Sequence, residues 1–312
     1  MSDFSRRNLI QAATAGLAFS AGPVSASNGQ NTPEKPSPKF CLNTATIRGQ
    51  NLPLDKQFKL AKQAGYDGIE PWLGDMDKYK ESGHSLQDLG KWAQDNQISV
   101  EGCIGFPEWL SNDPNKRKNS LEQLKKDLEK LVALGCKRIA APPAGATQEK
   151  NIPLAEAASR FNPLARLCLG AKITPLVEIW GFSSAINRLG DALYIAAECG
   201  ESNVSVLADV YHLRKGGSGL TGLKTLGHHS MQIFHVNDYP ARIAPKELND
   251  ADRVFPGDGS APWMEIQNIL ASTSPNCVLS LELFNRDVWK MDPAEALKIG
   301  LEKMKSVATS SN

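Results

Sequence analysis

The chain has 312 residues, of which 41% are hydrophobic and 22% charged, and its formal net charge is +1. This is ordinary globular composition, long enough for one large domain with a sizeable core. A near-neutral balance without a basic stripe or acidic tail argues against a nucleic-acid partner.

The N-terminus differs from the rest. "SRRNLIQ" at 5–11 leads into the weakly apolar "AATAGLAFSAG", and "VSA" at 24–26 ends the stretch. Paired arginines, a short apolar run and a small-residue site predict a twin-arginine-type export signal over 1–26, cleaved after Ala26, and hence a periplasmic or extracellular protein. The run is interrupted by Gln11 and Thr14 and is too short to span a bilayer, so no stable membrane insertion is expected after cleavage. Residues 27–38, "SNGQNTPEKPSP", read as a disordered linker with nothing to bury, and 39–312 as one domain. Six cysteines are spread without a CxxC pair, several inside apolar runs, and read as small core residues; no disulfide is signalled.

After the linker the pattern alternates regularly. "KFCLNTATI" reads as a strand, "PLDKQFKLAKQAG" as an amphipathic helix stopped by Gly65, and "YDGIEPW" as a second strand. "SLQDLGKWAQDNQ" is a helix capped by Ser85, followed by the strand "ISVEGCIGF". "SLEQLKKDLEKLVALG" places leucines 121, 124, 128, 131 and 134 on one helical face and ends at Gly135. "KRIAAPPAG" is strand four.

The second half keeps the rhythm: helix "LAEAASRFNPLARLCLGAK", strand "ITPLVEIW", helix "RLGDALYIAAECG", strand "VSVLADVYH", a helix around "LKTLGHH", strand "MQIFHVND", helix "WMEIQNILAST", strand "CVLSLELFN" and helix "PAEALKIGLEKMKSVA". Eight strands alternating with helices predict an α/β fold with a parallel sheet, and eight is the number that closes a (β/α)8 TIM barrel. No GxGxxG follows the first strand, which argues against an open dinucleotide-binding sheet.

Strands five to eight share an oddity. Each apolar run carries one polar group late in its course: Glu178, Asp209, His235 and Glu282. A charge removed from water requires a partner or a cation, and the carboxyl ends of barrel strands open into one shared mouth. Singly, each would be half of a salt bridge or a satisfied core histidine; together they predict one divalent metal site. Three carboxylates and an imidazole suit Mn²⁺ first, or Mg²⁺, with Co²⁺, Ni²⁺ and Zn²⁺ also compatible. Four such ligands leave two places on an octahedral ion for adjacent oxygens of a hydroxy-ketone.

"GYDGIE", "VEIW", "DVYH", "FHVND", "DRVFPGDG" at 252–259 and "LELF" together resemble the xylose-isomerase-like TIM barrels, over about residues 39–306. That group contains sugar isomerases, ketose 3-epimerases, inosose dehydratases and abasic-site endonucleases. The resemblance implies that Glu178, Asp209, His235 and Glu282 bind one metal ion, and that His212 and Arg253 bind substrate oxygens. One departure is visible: where ketose 3-epimerases carry a further glutamate in an NRFE-like segment, this chain reads "GFSSAINR".

The expected chemistry is removal of a proton from carbon beside a carbonyl, through an enediolate, with Glu178 and Glu282 taking and returning it. The leading reading is a metal-dependent sugar isomerase or epimerase. The alternatives are a lyase or dehydratase on a 3-keto-glycoside or keto-inositol, and a sugar-binding barrel without turnover. An unphosphorylated sugar, keto-sugar or cyclitol is expected, because sugar phosphates are scarce outside the cytoplasm. Oligomerisation is open.

Several residues have two readings. His212 contacts a substrate hydroxyl or caps "LRKGGSG"; Arg253 fixes an oxygen or pairs with Asp252 or Asp258; Glu70 contacts substrate or forms an ion pair. Asp238 orients a ligand histidine or serves a turn. Trp72, Phe106, Trp109 and Trp180 stack on a sugar face or seal the core. His228 and His229 precede strand seven and are left out of the metal site.

Overall fold

A computed structural model describes residues 38–309. The expected export signal and all but the last residue of the linker lie outside the described residues. Eight parallel strands form one sheet: β1 (Phe40–Asn43), β2 (Gly68–Glu70), β3 (Ser99–Val100), β4 (Arg138–Ala141), β5 (Thr174–Glu178), β6 (Ser205–Asp209), β7 (Ile233–Val236) and β8 (Val278–Leu281). Their order is β3-β2-β1-β8-β7-β6-β5-β4. The two ends meet just past the short β3, where Lys137 N donates to Val100 O (3.2 Å), Cys103 N to Arg138 O (3.0 Å) and Ala140 N to Cys103 O (2.9 Å). The sheet curls into the (β/α)8 barrel expected from the strand count.

Around it lie α1 (Leu54–Ala64), α2 (Leu73–Glu81), α3 (Leu86–Asp95), α4 (Pro114–Leu134), α5 (Leu154–Gly170), α6 (Leu189–Glu198), α7 (Val210–Gly216), α8 (Trp263–Thr273) and α9 (Pro293–Thr309). None of the described helices is long and apolar enough to cross a membrane.

Strand side chains alternate between two cores, as a period of two requires. Leu42, Ile69, Ile139, Val177, Val206, Phe234 and Leu279 pack outward with the helix faces, among them Leu124, Leu128, Leu131 and Leu134 of α4. Each such leucine contributes about 1.5–3 kcal/mol by leaving water. Cys41, Ala140, Leu176, Leu207, Ile233 and Val278 point inward and fill the barrel. All six cysteines are buried and free.

The floor of the barrel is polar. Glu101, just after β3, takes Arg138 Nη1 at 2.7 Å and Lys137 Nζ at 2.7 Å, and Arg138 Nε reaches Gln232 at 2.6 Å. An open groove of about 760 Å³ lies at this end, lined by Lys39, Ser99 and Lys137. It faces away from the carboxyl ends of the strands.

Five elements differ from expectation. Strand one stops at Asn43, whose side chain accepts from Ala45 N and starts a 3-10 turn over Thr44–Gln50. Helix α2 was hidden because only Met76 of it is buried, so no apolar stripe marks it. Helix α4 begins before Ser120, at Pro114, with Asp113 as its cap. Strand six turns directly into α7, capped by Asp209, and the helix expected around "LKTLGHH" is a 3-10 turn, Leu220–Thr225.

Candidate active site

The residue two places beyond each barrel-filling side chain returns to the interior, one layer nearer the carboxyl ends. Glu178 follows Leu176, Asp209 follows Leu207 and His235 follows Ile233, while Glu282 lies just past β8. Asn43 on β1 and Glu70 on β2 occupy equivalent places, and all six are buried.

Three of the four predicted ligands converge. Donor atoms of Asp209, His235 and Glu282 lie within 4.8 Å of one another. His235 Nδ1 is 3.3 Å from Glu282 Oε2 and 3.9 Å from Asp209 Oδ2, close to the spacing of ligands sharing one ion. Glu178 stands beside this group without joining it. Its Oε1 accepts from Trp180 Nε1 at 3.1 Å, whereas its Oε2 is buried without a hydrogen-bond partner, as is His235 Nδ1.

Neighbours the sequence did not single out fix these groups. Asn237 Nδ2 donates to Asp209 Oδ2 (2.8 Å), Asn43 Nδ2 to Glu282 Oε1 (2.9 Å), and Ser280 Oγ to Glu70 Oε2. Asn237 follows His235 by two and Ser280 precedes Glu282 by two, so strand periodicity places them on the same face. That was the available signal.

Glu70 is an orienting group. Its Oε2 lies 3.1 Å from His235 Nε2, leaving Nδ1 aimed at Asp209 and Glu282. Gly102 makes room for it, since a Cβ there would lie 2.4 Å from Glu70 Oε1. Asp238, the other candidate for that task, instead accepts from Tyr239 N, Gly257 N, Ala261 N and Trp263 Nε1 and holds the turn after β7.

Arg253 is buried inside the cluster. Nη1 donates to Glu282 Oε2 at 2.7 Å and Asp209 Oδ2 at 3.1 Å, Nη2 to Asp250 at 2.6 Å, and the guanidinium packs against the rings of Tyr211 and Phe284. The expected alternative partners are engaged elsewhere: Asp252 Oδ2 accepts from Asn249 N at 2.8 Å, and Asp258 pairs with Lys303.

His212 sits at the start of α7, with Nδ1 accepting from Gly181 N at 3.1 Å and Nε2 3.2 Å from Arg253 Nη2. A backbone N–H only donates, so the neutral ring carries its proton on Nε2. Two donors then face each other, an arrangement completed by an oxygen that accepts from both. Gly181 must be glycine, because a Cβ would stand 2.6 Å from His212 O.

The electrostatics fit a cation. Four buried carboxylates, Glu70, Glu178, Asp209 and Glu282, face Arg253 and one imidazole. Burial and the nearby Glu282 push Glu178 up to about 8. Burial also raises Asp209, against the pull of Arg253. Burial works to raise Glu282 too, but His235 and Arg253 outweigh it and hold that carboxyl well below its ordinary range. His235 is driven well above its usual value, as Glu282 and Glu70 overcome its burial, while burial and Arg253 keep His212 neutral. A divalent ion on Asp209, His235 and Glu282 would meet the unpartnered His235 Nδ1 and the surplus negative charge while leaving Glu178 Oε2 free, and the mixed oxygen and nitrogen donors suit such an ion.

Trp180 and Trp72 border the cluster, Trp72 through Nε1 to Asn43 Oδ1 at 3.0 Å. Trp109 does not: it is 1% exposed, donates to Pro142 O at 2.7 Å and packs edge-on against Phe161 of α5. The expected stacking role is therefore corrected to core packing. His228 and His229 lie exposed before β7, away from the cluster.

Comparison with known proteins agrees with this geometry. The chain is 26% identical over 281 residues to the inosose isomerase of Bacillus velezensis, covering 87% of this chain and 97% of that one. It is 28% identical over 269 residues to the inosose isomerase of Halalkalibacterium halodurans, covering 83% and 93%. A crystal structure of the IOLI protein with a bound zinc atom superposes with a TM-score of 0.79 at 25% identity, covering 87% of this chain and 98% of that one. The family model for the xylose isomerase-like TIM barrel matches residues 58–307, from within α1 to within α9. That span takes in every strand but the first and all the groups just described except Asn43, and the chain belongs to the xylose isomerase-like TIM barrel family.

Proposed function

We propose that this protein is a divalent-metal-dependent isomerase or epimerase of an unphosphorylated keto-sugar or keto-cyclitol. The observation that carries the reading is the convergence of Asp209, His235 and Glu282 beside a buried glutamate, Glu178, with one unpartnered oxygen. The relatives named inosose isomerase, which act on a keto-cyclitol by that name, support the substrate class.

Asp209, His235 and Glu282 hold the ion, with Mn²⁺ favoured by the oxygen-rich set. When bound, the ion supplies electrophilic stabilisation of negative charge developing on the carbonyl oxygen. Glu178 Oε2 is the free base that takes the proton from the neighbouring carbon, giving an enediolate. For isomerisation Glu178 gives that proton back at the adjacent carbon; for epimerisation it loses the proton to solvent, and Glu282, just past β8 with β6 and β7 between it and β5, relays a solvent proton to the opposite face. His212 Nε2–H and Arg253 Nη2, left as facing donors, bind a substrate oxygen between them. The paired Arg6 and Arg7 support export, which agrees with a substrate lacking phosphate.

The test is NMR in D₂O with Mn²⁺-loaded protein and a panel of inososes and ketoses. Deuterium entry at a carbon beside the carbonyl, with the product's formula otherwise conserved, is the expected result. Glu178→Gln should slow it by about 10²–10⁴-fold. Loss of water or of an aglycone would replace this reading with a lyase, and no exchange with any substrate would overturn it.

A further inference from the structure

The rim of the site carries four neighbouring aromatic rings, Trp72, Phe106, Trp180 and Phe182. Trp180 is bonded to Glu178, and Trp72 reaches Glu282 through Asn43, so each proposed catalytic glutamate is tied to one indole. Phe106 closes the arc between them, 5.3 Å from Trp72 and 5.7 Å from Trp180 between ring centroids. Phe182 extends it, stacked 5.2 Å from Trp180 at 30°.

These rings are not equivalent. Trp72 is already covered, with the Arg48 guanidinium 3.9 Å above it and the edges of Phe106 and Phe284 against it, so it serves as framework. Phe106 and Phe182 are 44% and 39% exposed, on either side of the half-buried Trp180. A contiguous exposed aromatic ledge beside a polar site marks a binding surface. Its occupant must have an apolar face and be continuous with whatever Glu178 reaches, because Trp180 belongs to both.

We infer that Phe106 and Phe182 form a subsite for a second ring of the substrate, which is a glycoside: the reacting ring lies at Glu178, and the aglycone or second sugar stacks on the two phenylalanines. This rests on the proposed function only in placing the reacting ring at Glu178. Sugar and aryl faces both suit such rings, since C–H and π surfaces pack flat on an aromatic face.

The test is calorimetry on the Mn²⁺-loaded protein with glucose, methyl β-glucoside, 4-nitrophenyl β-glucoside and cellobiose as probes. The two-ring probes should bind roughly tenfold more tightly than glucose or the methyl glucoside, the equivalent of one aromatic stack. Phe106→Ala with Phe182→Ala should remove that difference and leave glucose binding unchanged. Both substitutions are at exposed rings, and circular dichroism checks the fold. Equal affinities, no binding of the two-ring probes, or a preference that survives the double substitution would overturn the inference. Deuterium exchange is scored separately, so a protein that prefers two-ring ligands without exchange retains the subsite and loses the isomerase reading.

Discussion

Glu70 and His235, 165 residues apart in sequence, meet at 3.1 Å through Oε2 and Nε2. The contact joins β2 to β7 across the barrel interior and decides which imidazole nitrogen faces Asp209 and Glu282. Orienting partners of this kind raise the basicity of a ligand histidine and hold its ring in place. Glu70→Gln should therefore weaken Mn²⁺ and Zn²⁺ binding by about 10–100-fold, measured by calorimetry, with activity recovering at saturating metal. Unchanged affinity would remove Glu70 from this role.

Arg253 supplies the positive charge that the carboxylates need in the metal-free protein. Arg253→Met should destabilise the chelator-treated protein by about 3–5 kcal/mol, because Asp209 and Glu282 are left buried and uncompensated. Added Mn²⁺ should raise the melting temperature of the variant more than that of the parent. Equal shifts on metal addition would show that the arginine and the metal do not share these carboxylates.

Trp109 separates core packing from substrate stacking. Trp109→Ala should cost about 3–5 kcal/mol in urea unfolding while leaving KM near the parent value. A raised KM with unchanged stability would restore the stacking role.

Glu101 anchors the opposite end of the barrel, and its effect depends on pH. Burial alone would raise its pKa, but hydrogen bonds from Lys137 and Ser99 and the pairing with Arg138 lower it from 4.5 to about 2. A depressed folded-state value stabilises above the unfolded pKa, and that contribution fades as pH falls from 4.5 toward 2. Glu101→Gln should lose about 3 kcal/mol at pH 7, and the gap to the parent should close as acid unfolding is followed down to about pH 2. A gap that is constant with pH would assign the loss to packing.

Much of the site was visible from a local rule. Burial on both faces makes a parallel strand uniformly apolar, so Glu178, Asp209, His235 and Glu282 stood out against their runs. The same rule, applied at two-residue spacing, would have reached Asn43, Asn237 and Ser280, whose uncharged side chains drew less notice. Helix α2 left no mark because it buries little, and α7 because Val210 and Tyr211 favour a strand until Asp209 caps the turn.

The sequence by itself determined the eight-fold alternation and which strand positions carry polar groups, because helix and strand periods are set by local backbone geometry. Only the tertiary structure decided what those groups meet: Glu70 rather than Asp238 behind His235, Arg253 across Asp209 and Glu282, and Trp109 in the core. Each of those choices depends on strand register and barrel closure, which bring together atoms far apart in the chain at separations that no local pattern encodes.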